Sequence, residues 1–219
     1  MIKIKKIISR FPGIGFLFQI GFLIQKLIYK NQFIRVVNYH CINKQFEMNF
    51  KSHIEFYKKN YICVNEHTLK VFLDDKKWPY KKPGIIICFD DGLNCAVQNG
   101  LKILEEYNFT CWLMVPIGFL LENPRKHDDF INDNLIDCYC NLDSDISRRA
   151  MPPDSLKEIQ HNGHTITAHT INHTRMSNKL DLDTIKKEIL YGRDLLSKYT
   201  EKTINSFAWV GGEEEYFNP

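Results

Sequence analysis

Two short stretches of this chain carry residue types that can do chemistry together. The first is Phe89-Asp90-Asp91-Gly92, two adjacent carboxylates closing an apolar run, Ile85-Ile86-Ile87-Cys88-Phe89. Opened by Pro83-Gly84 and closed by a glycine, that run predicts a strand buried on both faces. Side chains alternate along a strand, so Asp90 and Asp91 must leave it in different directions. Carboxylates so separated suit two jobs, one on a metal ion and one on a proton. The competing reading is a plain Asp-Gly turn. The second stretch is His169-Thr170-Ile171-Asn172-His173, two imidazoles four residues apart just past another strand-like run. On a helical turn both rings would point the same way. Two His and one carboxylate form a common facial set for a catalytic divalent ion, leaving positions open for water and substrate. His161 and His164 stand nearby, so a solvated or core histidine pair competes with the metal reading.

The elements that must position these residues follow from hydrophobic period and punctuation. Arg35 to His40 predicts a short strand, and Phe50 to Asn60 a helix with Phe50, Ile54 and Tyr57 on one face. Leu69 to Leu73 predicts another short helix, and Lys76 to Gly84, with Pro79 and Pro83, a connector into the Ile85 strand. Ala96 to Tyr107 predicts a helix and Thr110 to Val115 a strand. Between Gly118 and Pro153 the chain turns polar, which predicts a long substrate-side loop with a short helix around Asn132 to Cys140. Then come a helix from Asp154 to His161, a strand from His164 to His169 and a long helix bearing Leu182, Ile185, Ile189, Leu196 and Tyr199. A last strand is expected over Ile204 to Val210. Strands alternating with helices predict an α/β fold with parallel strands. Chemistry in such folds collects at the carboxyl ends of strands, where His40, Asp90, Asp91, His169 and Trp209 all fall.

A chain of 219 residues, 44% hydrophobic and 25% charged, predicts one globular domain with a full core. A net charge of +3 with mixed signs calls for no nucleic acid partner. The seven cysteines are odd in number and irregularly spaced, which favours buried free thiols in a reducing compartment over a disulfide framework. Cys138 and Cys140 form a lone Cys-x-Cys pair, too few for a tetrahedral zinc site. Residues 1–34 form a separate segment: Lys3, Lys5, Lys6 and Arg10 precede an apolar stretch from Phe11 to Ile28. Pro12, Gln19, Gln25 and Lys26 interrupt it, so it makes a poor membrane span, and no small-residue cleavage site follows. Peripheral membrane contact through residues 1–30 is expected, with packing on the chain's own domain as the alternative. The expected location is cytoplasmic, on the inner face of the membrane.

With both motifs in hand, the chain resembles the polysaccharide deacetylase family, the NodB-homology group. Asp90-Asp91 is similar to its first motif and His169 to His173 to its second. Lys102 to Glu105, Thr110 to Val115, and Leu156 to Ile159 before Gly163-His164 are similar in spacing. The resemblance covers roughly residues 35 to 212, within a domain of residues 35–219, and is carried by its two motifs. It implies a distorted (β/α) barrel, incomplete at the C-terminus, and a hydrolase of carbon–nitrogen bonds removing acetyl groups from an amino sugar in surface polysaccharide or glycolipid. The divalent ion would be zinc, with cobalt, nickel or manganese as alternatives, and the partner an N-acetylated saccharide. Asp91, His169 and His173 would be metal ligands and Asp90 the catalytic base. The third motif departs from the family: Ala208 stands where an arginine is usual, and Val210-Gly211 where Pro-Tyr is usual. A downstream Leu-x-His segment that supplies the general acid is also absent. Tyr39-His40 resembles the permuted arrangement of biofilm-polysaccharide deacetylases, which would make His40 the acid. Two alternatives follow from these departures and from the shared residues: a non-catalytic barrel remnant that binds carbohydrate or a partner, and a related glycolipid deformylase.

Overall fold

The computed structural model describes residues 14–135, 149–177 and 179–216. Its centre is a parallel sheet of β1 (Ile34–Tyr39), β2 (Ile62–Cys63), β3 (Gly84–Phe89), β4 (Trp112–Val115) and β5 (Thr165–Ala168). The strand order is β1-β3-β4-β5, with β2 pairing the first residues of β3 and β4 the last. A parallel bridge from Ala168 to Phe207 continues the sheet by one contact. This single bridge replaces the strand expected over Ile204 to Val210. Among the described residues the far edge does not return to β1, so the barrel expected from the sequence stands open.

The helices are α1 (Ile14–Tyr29), α2 (Glu47–Asn60), α3 (Glu66–Asp75), α4 (Lys102–Glu106), α5 (Ile117–Leu121) and α6 (His127–Asn134). They are followed by α7 (Ser155–His161), α8 (Leu182–Lys186) and α9 (Gly192–Thr200). Wide π turns lead into α4 at Ala96–Leu101 and join α8 to α9 at Lys187–Tyr191. The expected regular helices over these stretches are therefore each interrupted by a wider turn. The polar stretch after Gly118 is also not one long loop, because α5 and α6 occupy its first half. Cys138 and Cys140 lie outside the described residues.

All six residues of β3 are buried, as its unbroken apolar run predicts. Ile85, Ile87 and Phe89 enter the main core with Phe50, Leu104 and Leu113, while Ile86 and Cys88 pack with Trp78 and Trp112 on the other face. Burying each isoleucine contributes about 1.5–3 kcal/mol relative to exposure. The π turn brings the backbone of Gly100 onto Phe89, where a Cβ would stand 2.5 Å from Phe89 Cζ. Only glycine allows that approach, and Phe89 is the residue that delivers Asp90. Cys41, just after β1, is bonded to Cys95, just after β3, with Cα atoms 5.5 Å apart. That pairing corrects the expectation of free thiols throughout; Cys63, Cys88 and Cys111 are free.

His164 opens β5 and is a core histidine. Its Nδ1 accepts the Cys111 N–H at 3.1 Å, and its Nε2 faces Glu105 Oε1 at 3.4 Å. Burial pulls its pKa below the ordinary 6.5, against the pull of Glu105. The unfolded chain therefore binds the proton first, so this stabilisation is present above pH 6.5 and is lost as pH falls through it toward the lowered native value. A His164→Gln variant should lose less stability than the parent between about pH 7 and 5, measured by urea unfolding at each pH. Equal losses in both proteins would show that His164 does not carry this linkage.

Candidate metal and catalytic site

The parallel register assembles the site. Tyr39 pairs with Phe89, so the next residues, His40 and Asp90, emerge side by side. Val115 pairs with Ala168, and His169 follows at once. Asp91 and Gly92 take left-handed backbone, at φ +70° and +64°, turning the chain sharply back across the strand ends. Thr170 and His173 are also left-handed, at φ +61° and +57°. Such non-glycine positions cost about 1–3 kcal/mol each and persist where surroundings over-determine them. Residues 169–173 do not form a helical turn. The two rings nevertheless converge, with centroids 5.0 Å apart.

Asp91 Oδ1 lies 3.0 Å from His173 Nε2 and 3.6 Å from His169 Nε2. One ligand atom from each of these three residues falls within 4.8 Å of the others. Each imidazole is tied off behind: His169 Nδ1 donates to the Ala208 carbonyl at 2.9 Å, and His173 Nδ1 to the Asn134 carbonyl at 2.7 Å. A carbonyl only accepts, so each ring carries a proton on Nδ1 and turns its Nε2 toward Asp91. When both rings are neutral, their Nε2 atoms and the Asp91 carboxylate make a three-donor set around one point. The donor set fits a divalent ion.

Burial opposes ionisation of Asp91, but the His173 hydrogen bond and the charges of His173, His169 and His40 outweigh it and hold its pKa below the usual carboxylate range. Burial drives His169 down to about 4, so that ring stays neutral. His173 is pulled down by burial, yet its Asp91 contact prevails and raises it. Asp90 is pushed up to about 7, first by burial and then by the Asp91 charge. Its Oδ2 accepts the Asn38 side-chain N–H at 2.8 Å, and its Oδ1 is buried with no hydrogen-bond partner among the described residues. His40 stands half-buried at the rim, Nε2 3.8 Å from Asp90 Oδ2 and 3.9 Å from Asp91 Oδ2. All five residues singled out in the sequence therefore meet at one place.

Two supporting residues escaped the sequence reading. Asn38 holds Asp90 through its Oδ2; its only signal was a polar residue two before His40 in an apolar strand. Glu188 is buried in the π turn between α8 and α9. Its Oε2 accepts the Ile171 and Asn172 N–H groups at 2.9 and 3.0 Å, and its Oε1 accepts the Asn172 side chain at 2.9 Å. It therefore clamps the loop between the two histidines. A glutamate inside the apolar face of Ile185 and Ile189 was the available signal. Glu188→Gln, which sets an amide donor among backbone donors, should weaken divalent-ion affinity about 10–100-fold, read by competition with a chromophoric chelator. Unchanged affinity would leave Glu188 a role in folding alone.

With this geometry established, comparison with known proteins places the chain in a family. A family model for polysaccharide deacetylase matches residues 77–216. The chain belongs to that family, whose members are hydrolases of carbon–nitrogen bonds other than peptide bonds. Among solved structures it is similar to a Streptococcus pyogenes deacetylase, PplD, in complex with acetate, at 16% identity over 82% of this chain and 74% of that one, TM-score 0.64. It is also similar to IcaB from Ammonifex degensii, at 12% identity over 84% and 77%, TM-score 0.60. A third is the BpsB deacetylase domain from Bordetella bronchiseptica, at 12% identity over 85% and 83%, TM-score 0.58. At these identities the likeness is one of fold. No curated protein matches the chain.

Proposed function

We propose that the chain removes the acetyl group from an N-acetylated amino sugar in a polysaccharide, using a divalent ion of the zinc class. The observation that carries this reading is the convergence of Asp91, His169 and His173, rings tied off behind, beside the buried Asp90 carboxylate. An ion held by these three residues would polarise the amide carbonyl and acidify a water.

The remaining chemistry falls to the chain's own groups. Asp90, fixed through Oδ2 by Asn38, takes the proton of the attacking water on Oδ1 as the water oxygen bonds to the carbonyl carbon. His40 at the rim gives a proton to the sugar nitrogen as the carbon–nitrogen bond breaks, leaving acetate and a free amine. The indole of Trp209, 45% exposed and adjacent to the carbonyl that holds His169, offers a flat apolar face to a sugar ring.

Purified protein should hold about one zinc-class ion per chain, and Asp91→Ala should lose it. Equal metal content in the two, by elemental analysis, would remove Asp91 from the ligand set. Asp90→Asn should cut acetate release from N-acetylhexosamine oligomers by about 10²–10⁴ while leaving metal content intact. Asn38→Ala deletes a hydrogen bond to the ionised form of Asp90, so the acid limb of its kcat/KM profile should move to higher pH. An unmoved limb would mean that Asn38 does not tune the base.

A further inference from the structure

At the end of the sheet opposite the site lies a surface that the proposed reaction does not use. Helix α1 joins the amino end of β1, whereas every site residue follows a strand's carboxyl end. Along α1, Ile20, Leu23, Ile24, Leu27 and Ile28 recur at helical spacing and form one stripe. That stripe is turned outward: Leu23 is 63% exposed, Leu27 78% and Ile28 65%. On the side facing the domain, half-buried Gln25 accepts a hydrogen bond from Arg35 of β1. Among the described residues nothing covers the outward stripe.

The sequence that carries the stripe is one-sided in charge. Residues 1–34 contain Lys3, Lys5, Lys6, Arg10, Lys26 and Lys30 and no acidic residue. The whole chain carries +3, so the remaining residues sum to −3. The end of α1 is also tied to a second basic element, the loop 76–83. Asn31 donates to the Lys81 carbonyl at 2.8 Å, and Gln32 exchanges hydrogen bonds with the Trp78 backbone at 3.0 and 3.2 Å. Those bonds hold exposed Lys76, Lys77 and Lys81, together with exposed Tyr80, beside the end of the helix.

We propose that this end of the molecule docks on an anionic phospholipid surface, with the α1 stripe in the acyl boundary and the lysines among the headgroups. An outward apolar stripe supplies burial, and the unbalanced basic flanks supply attraction to anionic lipid; together they make the two signals that stable peripheral binding requires. The six residues of β1 and β3 between this surface and the site span about 20 Å. Docked this way, the protein turns Asp90, Asp91 and His40 away from the bilayer, toward polymer rather than toward a lipid headgroup beneath it.

The test uses the full chain with vesicles and reads binding, not activity, so it stands or falls separately from the catalytic reading. The chain should co-sediment with phosphatidylglycerol-containing vesicles and much less with pure phosphatidylcholine, and added salt should release it. Leu23→Asp/Leu27→Asp should lower binding about tenfold or more, as should Lys77→Glu/Lys81→Glu, with metal content unchanged in both. These positions are solvent-facing, so the folded domain should survive; matched thermal unfolding confirms it. Absence of vesicle binding by the parent chain would overturn the proposal. So would a soluble dimer that dissociates on Leu23→Asp/Leu27→Asp while vesicles stay unbound, because a second copy would then be the occupant of the stripe.

Discussion

The complete burial of β3 is the constraint from which the rest follows. A strand apolar on both faces has one stable place, between two layers, and it must be paired on both edges to satisfy its backbone. Its neighbours β1 and β4 pair with it in parallel; the carboxyl end of β1 is level with that of β3, and β4 runs two residues further. Where the apolar run stops, Asp90 and Asp91 follow with no polar residue between. Two carboxylates are therefore left at the edge of a low-dielectric core. Asp91 is answered by His173, His169 and His40, whereas Asp90 has the Asn38 hydrogen bond and the more distant His173 charge, with burial and the Asp91 charge against it. That inequality separates their pKa values in opposite directions, and with them the two chemical roles open to the pair.

The same logic sorts the histidines. His164 is as buried as His169, but its Nδ1 accepts a backbone N–H and its Nε2 faces a carboxylate, so both nitrogens are occupied. His169 and His173 each give Nδ1–H to a carbonyl, which turns both Nε2 atoms toward Asp91. Position in the sequence does not distinguish these cases, and burial does not either. What the second ring nitrogen touches decides whether a histidine is a packed core residue or a ligand.

How much of this could be read from the chain depends on the range of the interaction. The strands before Asp90 and His169 and the helices at Phe50 and Asp154 were legible, because hydrophobic period and glycine stops are local signals. The five site residues were legible because each ends a strand or belongs to a motif. Asn38 and Glu188 were not, since their roles depend on register across 52 residues and on a π turn that brings residue 188 back to 171. The Cys41–Cys95 bond is likewise set by the pairing of β1 with β3, which cysteine count does not encode. The last strand failed for a related reason: Ile204 to Val210 has strand-like composition, but only Phe207 finds a partner in the sheet.

The open sheet bears on whether such a site can work. The proposed acid, base and ligands come from the turns directly after β1, β3 and β5, with Asn38 on β1. Their supports come from elsewhere: the Asn134 carbonyl behind His173, Glu188 behind the loop between the two histidines, and the Ala208 carbonyl behind His169, which needs a backbone position and no particular side chain. The loss of an arginine at that position therefore leaves the histidine held, and Asn38 reaches Asp90 from the opposite edge of the site. A complete ring would add wall and substrate contacts, which govern which polymer is bound and how well water is excluded. Turnover on small N-acetylated oligomers is thus the property least dependent on further strands, and selectivity among long polymers the most.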